Sequence, residues 1–424
     1  MNRHLRIAGL VAGVAIIAAA CSTSTASTAP SAAASASASA AASAAASPSS
    51  GAAGSLLPAP LSGSLTIWES YGSSGGNAEF KAFSRIIQGI EALNPDLKLT
   101  VLDVPFADLY TKFETESAAG GGPDMFIGPN DNVGKESRIP ALADLTGKID
   151  TVIANSNDVS VSGSTVDGKI FMVPESLKAV AMYYDSKIVT TPPATTDALM
   201  TFVKGGGKVG IIDGPYFGWG YYSAFGGQIF DANGKCAATA NTGVADALQY
   251  VLDLKKAGAT VGNDYGKVND AFLNKKIDVI MNGNWTLGDY RAARPDVAVA
   301  AVPAGPKGNA QTMVGVDGWY INLNSKSQDL AISVAKEMVS QASQTIYVDV
   351  AGHVPANKNI TIIDPLVKSF SDAINTGQAR PQTPQMDNYW ANFTKAWDDV
   401  ITAGVSPTTA VATACAAMDK ANGF

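Results

Sequence analysis

Between Tyr216 and Phe225 six of ten residues are aromatic, against 8% of the chain as a whole, and Gly218 and Gly220 stand among them. Rings with an apolar face and a polar tip suit a ligand of the same mixed character, such as a sugar with CH faces and hydroxyl edges. Glycine between the rings lets the backbone turn and approach a partner closely. The same rings would also serve as the core of a domain, where aromatics dominate.

Residues for bond-making chemistry are scarce. The only histidines are His4 and His353, so a histidine metal cluster is excluded and a nucleophilic triad would have to use His353. Gly72-Ser73-Ser74-Gly75-Gly76 matches G-x-S-x-G after a strand, but the next helix begins several residues too late for a sharp nucleophile elbow. Gly205-Gly206-Gly207-Lys208-Val209-Gly210 matches G-x-G-x-x-G yet precedes a strand, which leaves a phosphate no helix N-terminus to rest on; it reads as a turn. Gly134-Lys135 lacks the spacing and the following hydroxyl of a P-loop. A glycosidase needs two carboxylates facing each other across a bond, and Asp131, Glu175 and Glu69 are the residues it would draft. No cofactor or metal is expected, and a glycosidase stays open as the enzyme alternative.

The elements that must hold these residues alternate between two periods. Leu65 to Trp68 is a short strand; Phe80, Phe83, Ile86, Ile87, Ile90 and Leu93 come next at helical spacing, stopped by Asn94-Pro95. Leu97, Leu99 and Val101 alternate as a second strand, and this β-α-β opening implies a parallel sheet covered by helices. Further strands are expected at Met125 to Ile127, Val180 to Asp185, Lys208 to Asp213, Ile277 to Met281, Asp296 to Val302 and Trp319 to Leu323. Helices are expected at Thr111 to Ala119, around Val244 to Leu252, and over most of the chain after Asp329. At 424 residues there is room for two such α/β lobes.

The N-terminus reads as a targeting segment. Arg3 and Arg6 precede an apolar run, Leu10 to Ile17, that is too short to span a membrane. It ends Ala18-Ala19-Ala20-Cys21, which resembles a bacterial lipobox, with cleavage before Cys21 and lipid on its thiol; simple secretion after Ala20 is the alternative. Ser, Ala, Thr, Gly and Pro make up nearly all of the next forty residues, a composition with nothing to bury. As a flexible tether it would reach about 35 Å. Cys236 and Cys415 remain, as a disulfide pair or as two small buried residues. The net charge of −7 and the absence of a Lys/Arg run argue against a nucleic-acid partner.

Taken together, the lipobox, the tether, the two-lobed α/β pattern and the aromatic loops resemble the family 1 extracellular solute-binding lipoproteins of ABC importers, the maltose/maltodextrin binders most of all. The likeness runs from Ser64 nearly to the C-terminus. It rests on the order and spacing of Leu65-Thr66-Ile67-Trp68, Gly122-Pro123-Asp124, Gly214-Pro215-Tyr216-Phe217-Gly218-Trp219, Met281-Asn282-Gly283-Asn284-Trp285, Val314-Gly315-Val316 and Pro384-Gln385-Met386 with Trp390. The resemblance implies a two-lobed periplasmic-binding-protein-like fold with the ligand cleft between the lobes. Residues 1–20 would be the signal peptide and 21–62 the lipidated cysteine and tether. Lobe one would take 63–175 and 304–352, and lobe two 179–303 and 355–424, which puts Cys236 and Cys415 in one lobe.

Carried over residue by residue, Tyr216, Trp285 and Trp390 match aromatics that stack on sugar rings, and Asp131 matches an aspartate that accepts hydroxyl hydrogen bonds. Trp219 fits either cleft or core. The departures concern charge: Gly72-Ser73 replaces an Asp-Lys pair, Asn132 an arginine, Lys178 and Gly214 two glutamates, and Gly128 a tryptophan. Glu69, Tyr71, Lys178, Asp317, Trp319 and Arg380 are new candidates in the matching loops, with Asn132 beside them. The resemblance further implies a monomeric protein, lipid-anchored at the cell membrane and facing the extracytoplasmic side. It would capture a carbohydrate, an oligosaccharide foremost but not necessarily maltose, for ABC permease subunits. A glycosidase and a binder of another polar solute are the alternatives.

Overall fold

The computed structural model describes residues 60–72 and 76–424. The expected signal peptide, Cys21, nearly all of the expected tether and the serines of the G-x-S-x-G match lie outside them. Pro58–Phe424 forms a unit of its own.

Strands are numbered along the chain: β1 Gly63–Glu69, β2 Leu97–Asp103, β3 Met125–Pro129, β4 Thr165–Val166, β5 Lys169–Ile170, β6 Val173–Lys178, β7 Val180–Asp185, β8 Val209–Ile212, β9 Thr260–Gly262, β10 Val279–Gly283, β11 Val297–Ala300, β12 Met313–Ile321, β13 Val354–Pro355 and β14 Gln378–Ala379. They build two large sheets. The first runs β13-β6-β12-β3-β1-β2, with β14 beside β12, and the second runs β11-β7-β10-β8-β9. In the first, β1 is parallel to both β2 and β3, as the opening β-α-β predicts, while β12 runs antiparallel between β3 and β6. In the second, β8 is parallel to β9 and β10, and β7 is antiparallel to β10 and β11.

A single residue, Ala179, separates β6 of the first sheet from β7 of the second. The last strand of the first sheet before this crossing therefore ends, at Lys178, where the two halves meet. The chain returns to the first sheet between β11 and β12. Helices Tyr389–Ile401 and Pro407–Ala421 then pack on helix Gly243–Ala257 of the second half. Not all of 355–424 belongs there: Val354–Pro355 pairs with β6, and Gln378–Ala379 pairs with β12, both in the first sheet.

Local sequence explains the frame. Helix Ala78–Leu93 is capped by Asn77, whose side chain accepts from Phe80 N at 2.8 Å, and it buries Ala82, Phe83, Ile86, Ile87 and Ile90 along one stripe. Asp364 caps helix Pro365–Ile374 by accepting from Leu366 N and Val367 N, with proline in the first turn where its missing N–H is no loss. In the second half the core gathers Trp219, Tyr221 and Tyr222 with Tyr389, Phe393 and Trp397. Cys236 and Cys415 are joined there, their Cα atoms 5.5 Å apart. The disulfide ties the loop before helix Gly243–Ala257 to the last helix.

Candidate functional site

Lys178 ends β6 buried in a knot of charge. Its Nζ lies 2.7 Å from Glu79 Oε1, 3.2 Å from Asp317 Oδ2 and 3.0 Å from His353 Nε2. His353, fully buried, sets Nε2 2.7 Å from Glu79 Oε1 and Nδ1 3.1 Å from Glu175 Oε1. Each of these charges is desolvated, so each depends on the others to stay charged. Burial would raise the Glu79 carboxyl, but Lys178 and His353 hold it down at about 2. Burial would lower the Lys178 ammonium, and Asp317, Glu79 and Glu175 overcome this and raise it. The His353 imidazole is also raised: burial and Lys178 oppose its charge, and Glu175 and Glu79 outweigh them. Asp317 goes up, since its burial outweighs Lys178. His353 is thus committed to a carboxylate pair, which removes the one imidazole a triad would need.

Glu79 also faces a cavity of about 260 Å³ between the first-sheet half and the second-sheet half. Asn77 and Glu79 line it from the start of helix Ala78–Leu93, and Tyr265, Asn269, Trp285 and Asp289 line it from the other side. Asp289 Oδ1 accepts from Ala78 N at 2.9 Å, a cap supplied to one half's helix by the other half. Trp285 stands at the end of β10, its Nε1 donating to Tyr265 OH at 2.9 Å. The ring of Tyr216 lies 6.0 Å from Trp285, and Phe217 lies 6.3 Å from Trp285 and 6.1 Å from Tyr265. Four rings from three separate segments therefore make one wall opposite the charge knot.

Farther along this wall stands Arg380. Its guanidinium lies over Tyr216 at 5.4 Å and over Trp390 at 5.7 Å from the ring centroids. It pairs with Asp131, donates from Nη1 to Asn130 Oδ1 at 3.0 Å and from Nε to Met313 Sδ at 3.2 Å. Trp390 is partly buried, and its Nε1 is enclosed with no hydrogen-bond partner.

Other expected residues sit elsewhere. Trp319 is fully buried in the first half, stacked on Phe83 at 6.2 Å. It points to the helix side of β12, where Leu65, Ile86 and Met338 share its cluster, so it is a core residue and not a cleft residue. Trp219 is also core: it packs edge-on to Tyr389 at 5.3 Å, and its Nε1 donates to Gln378 Oε1 at 3.1 Å. Glu69 and Tyr71 are buried behind the charge knot, with Tyr71 against Phe83 and Tyr347. Burial, with Asp103 adding to it, raises the Glu69 carboxyl to about 7. Asn132 precedes helix Val133–Arg138 without a side-chain cap bond. Of the carboxylates a glycosidase would draft, Asp131 is spent on Arg380, Glu175 on His353, and Glu69 accepts from Tyr71 N at 2.5 Å.

Sequence reasoning missed Glu79, Asn77, Tyr265 and Asp289. Glu79 and Asn77 read as ordinary helix-start residues, and Tyr265 begins a separate helix, Tyr265–Leu273. Only the packing of that helix beside β10 brings its tyrosine to Trp285.

Solved structures share this frame. The maltotriose-binding protein of Thermus thermophilus superposes with a TM-score of 0.78 at 27% identity, covering 85% of this chain and all of that one. The GacH receptor of Streptomyces glaucescens, solved unliganded and with acarbose, gives 0.78 at 23% identity over 85% of this chain and 98% of that one. In sequence, a maltotriose-binding protein of Pyrococcus abyssi is 24% identical over 362 residues, 80% of this chain and 78% of its own length. A galactooligosaccharide-binding protein of Bacillus subtilis is 23% identical over 369 residues, 81% and 86% of the two chains. The family model for bacterial extracellular solute-binding proteins matches residues 85–373, well over half the length. With two sheets crossed at Ala179 and a cleft at the crossing, this chain belongs to the bacterial extracellular solute-binding protein family.

Proposed function

We propose that the protein is the substrate-binding component of an ABC importer, that it captures a carbohydrate in the cleft beside Trp285, and that it delivers this sugar to a membrane permease. The observation that carries the reading is the pairing of unlike walls. Tyr216, Trp285 and Tyr265 offer ring faces on one side, with Asp289 on that same side, and Glu79 and Asn77 offer hydrogen-bonding groups on the other. A pyranose needs both: its CH face stacks on a ring while its hydroxyls find charged or amide acceptors. Relatives named for maltotriose, galactooligosaccharide and maltodextrin binding support the same class of ligand.

Binding would favour the closed form because the sugar touches both halves, and release occurs when they part. No bond is made or broken. Cys21 carries the lipid in this reading, and the Ser/Ala tether lets the folded unit stand off the extracytoplasmic face of the membrane as a monomer. None of the described helices is long and apolar enough to cross a membrane. A thermal-shift screen of the purified protein against mono- and oligosaccharides tests the assignment, because a ligand specific for the folded state raises the melting temperature. A saturable rise with a sugar that is recovered intact supports it. A flat response to every sugar, or conversion of one, rejects it.

A further inference from the structure

This inference rests on the carbohydrate reading and narrows it. The cleft carries a row of three aromatic residues suited to stacking, Trp285, Tyr216 and Trp390, and in an open groove such a row would seat successive units of a long chain. Here the row is interrupted. Arg380 lies over two of the three rings, at 5.4 Å from Tyr216 and 5.7 Å from Trp390, and its side chain is 3% exposed.

The guanidinium is held on every side. Asp131 takes it in an ion pair, Asn130 Oδ1 and Met313 Sδ accept from it, and Gly315 provides the room in which it lies: a Cβ there would come within 2.9 Å of Nη2. A guanidinium with this many partners is a built feature and not a surface side chain folded inward. Asn130 is itself fixed, donating to Gly163 O at 3.1 Å and accepting from Val316 N at 3.0 Å. Trp390 Nε1, the polar edge that a sugar hydroxyl would otherwise meet, is enclosed without a partner. The open volume lies at the other end, against Trp285 and Tyr265.

We infer that Arg380 is a specificity-determining residue that closes the groove beyond Tyr216, so that the protein selects short saccharides, of one or two units, over longer chains. A third sugar unit would have to displace a paired, buried cation from two ring faces and leave Asp131 desolvated and unpaired, a cost that further contacts must offset before any gain in affinity.

The test is calorimetric titration of the purified protein with two ladders, glucose to maltohexaose and galactose to its β-1,4-linked hexamer. Each is repeated with Arg380→Ala, whose folding is checked by circular dichroism. In the wild type, affinity should rise up to the disaccharide and change less than twofold for each unit added after it. In Arg380→Ala the ratio of tetrasaccharide to disaccharide affinity should rise at least tenfold. If Arg380→Ala does not fold, Asp131→Asn keeps the arginine and loosens its hold, and the same ratio should rise at least threefold. Wild-type affinity that climbs tenfold or more from two units to four overturns the inference and leaves the carbohydrate reading standing, as does an unchanged ratio in the folded variants. Absence of binding to both ladders overturns both.

Discussion

The indole of Trp285 lies directly against Gly283, two residues before it, in space that any Cβ at Gly283 would occupy. Gly283 has an ordinary extended backbone, φ −85° and ψ 164°, so the glycine is required by the ring and not by the turn. Gly283→Ala should therefore keep the fold and push the indole off Tyr265. We expect sugar affinity to fall by at least about tenfold, roughly 1.4 kcal/mol, read by calorimetry, with the melting temperature nearly unchanged.

Trp285→Ala removes the ring itself. If Trp285 is the stacking anchor of the cleft, the loss should be about 2 kcal/mol or more in binding free energy. Trp390→Ala is expected to act differently, since its ring supports Arg380: its main effect should fall on selectivity for chain length. A titration of both variants with the same sugar separates the two roles.

Arg294 is a structural counterpart to Arg380. It is buried, donating to Asp185 Oδ2 at 2.9 Å, Phe272 O at 3.1 Å and Ile277 O at 2.6 Å, with Asp278 at 3.7 Å and the ring of Phe272 beneath it at 4.3 Å. Arg294→Ala strands two carboxylates and two carbonyls, and should cost about 3–5 kcal/mol of stability. Urea unfolding measures this.

Reduction of Cys236–Cys415 opens a covalent loop spanning 179 positions in sequence. Loss of so long a constraint should cost about 2–5 kcal/mol. Melting with and without reductant reads it, and the Cys236→Ser, Cys415→Ser double variant should match the reduced protein.

Stability should also depend on pH at both ends. Glu79, held at about 2, favours the folded state above its unfolded value near 4.5, and this contribution fades as pH falls from 4.5 toward 2. Glu69, raised to about 7, keeps its proton in the folded state while the unfolded chain gives it up, so stability declines as pH rises from 4.5 through 7. His353, also raised, adds stability below 6.5 that is lost as pH climbs past its folded value. Urea midpoints from pH 3 to 9 should pass through a maximum on the acid side of neutrality, and Glu69→Gln should flatten the fall between 4.5 and 7.

What the sequence could reveal depended on periodicity. Val180–Asp185 stands out for its short unbroken apolar run, and the helix around Val244 to Leu252 because its apolar residues recur at helical spacing. β6, Val-Pro-Glu-Ser-Leu-Lys, does not: all six residues are buried, but Glu175 and Lys178 are charged, and their ion-pair partners Glu79, His353 and Asp317 come from other segments. β12 begins six residues before Trp319, and glycines at 315 and 318 hide it; Gly318 is needed because a Cβ would strike Met172 and Val173 O. Tryptophan roles divided the same way. Trp285 and Trp319 are alike as residues, but Trp285 stands in the turn just past β10 and faces the cleft, while Trp319 lies within β12 and is stacked onto Phe83.

The central claim is that the wall of Tyr216, Trp285 and Tyr265, facing Asn77 and Glu79, holds a sugar. Its most direct test is isothermal titration of the purified protein with a neutral saccharide panel, run in parallel on wild type and Trp285→Ala. The account predicts one-to-one saturable heat for at least one sugar, recovered unchanged afterward, and at least about thirtyfold weaker binding in the variant. Equal affinity in a folded Trp285→Ala, or no heat from any sugar, would contradict it.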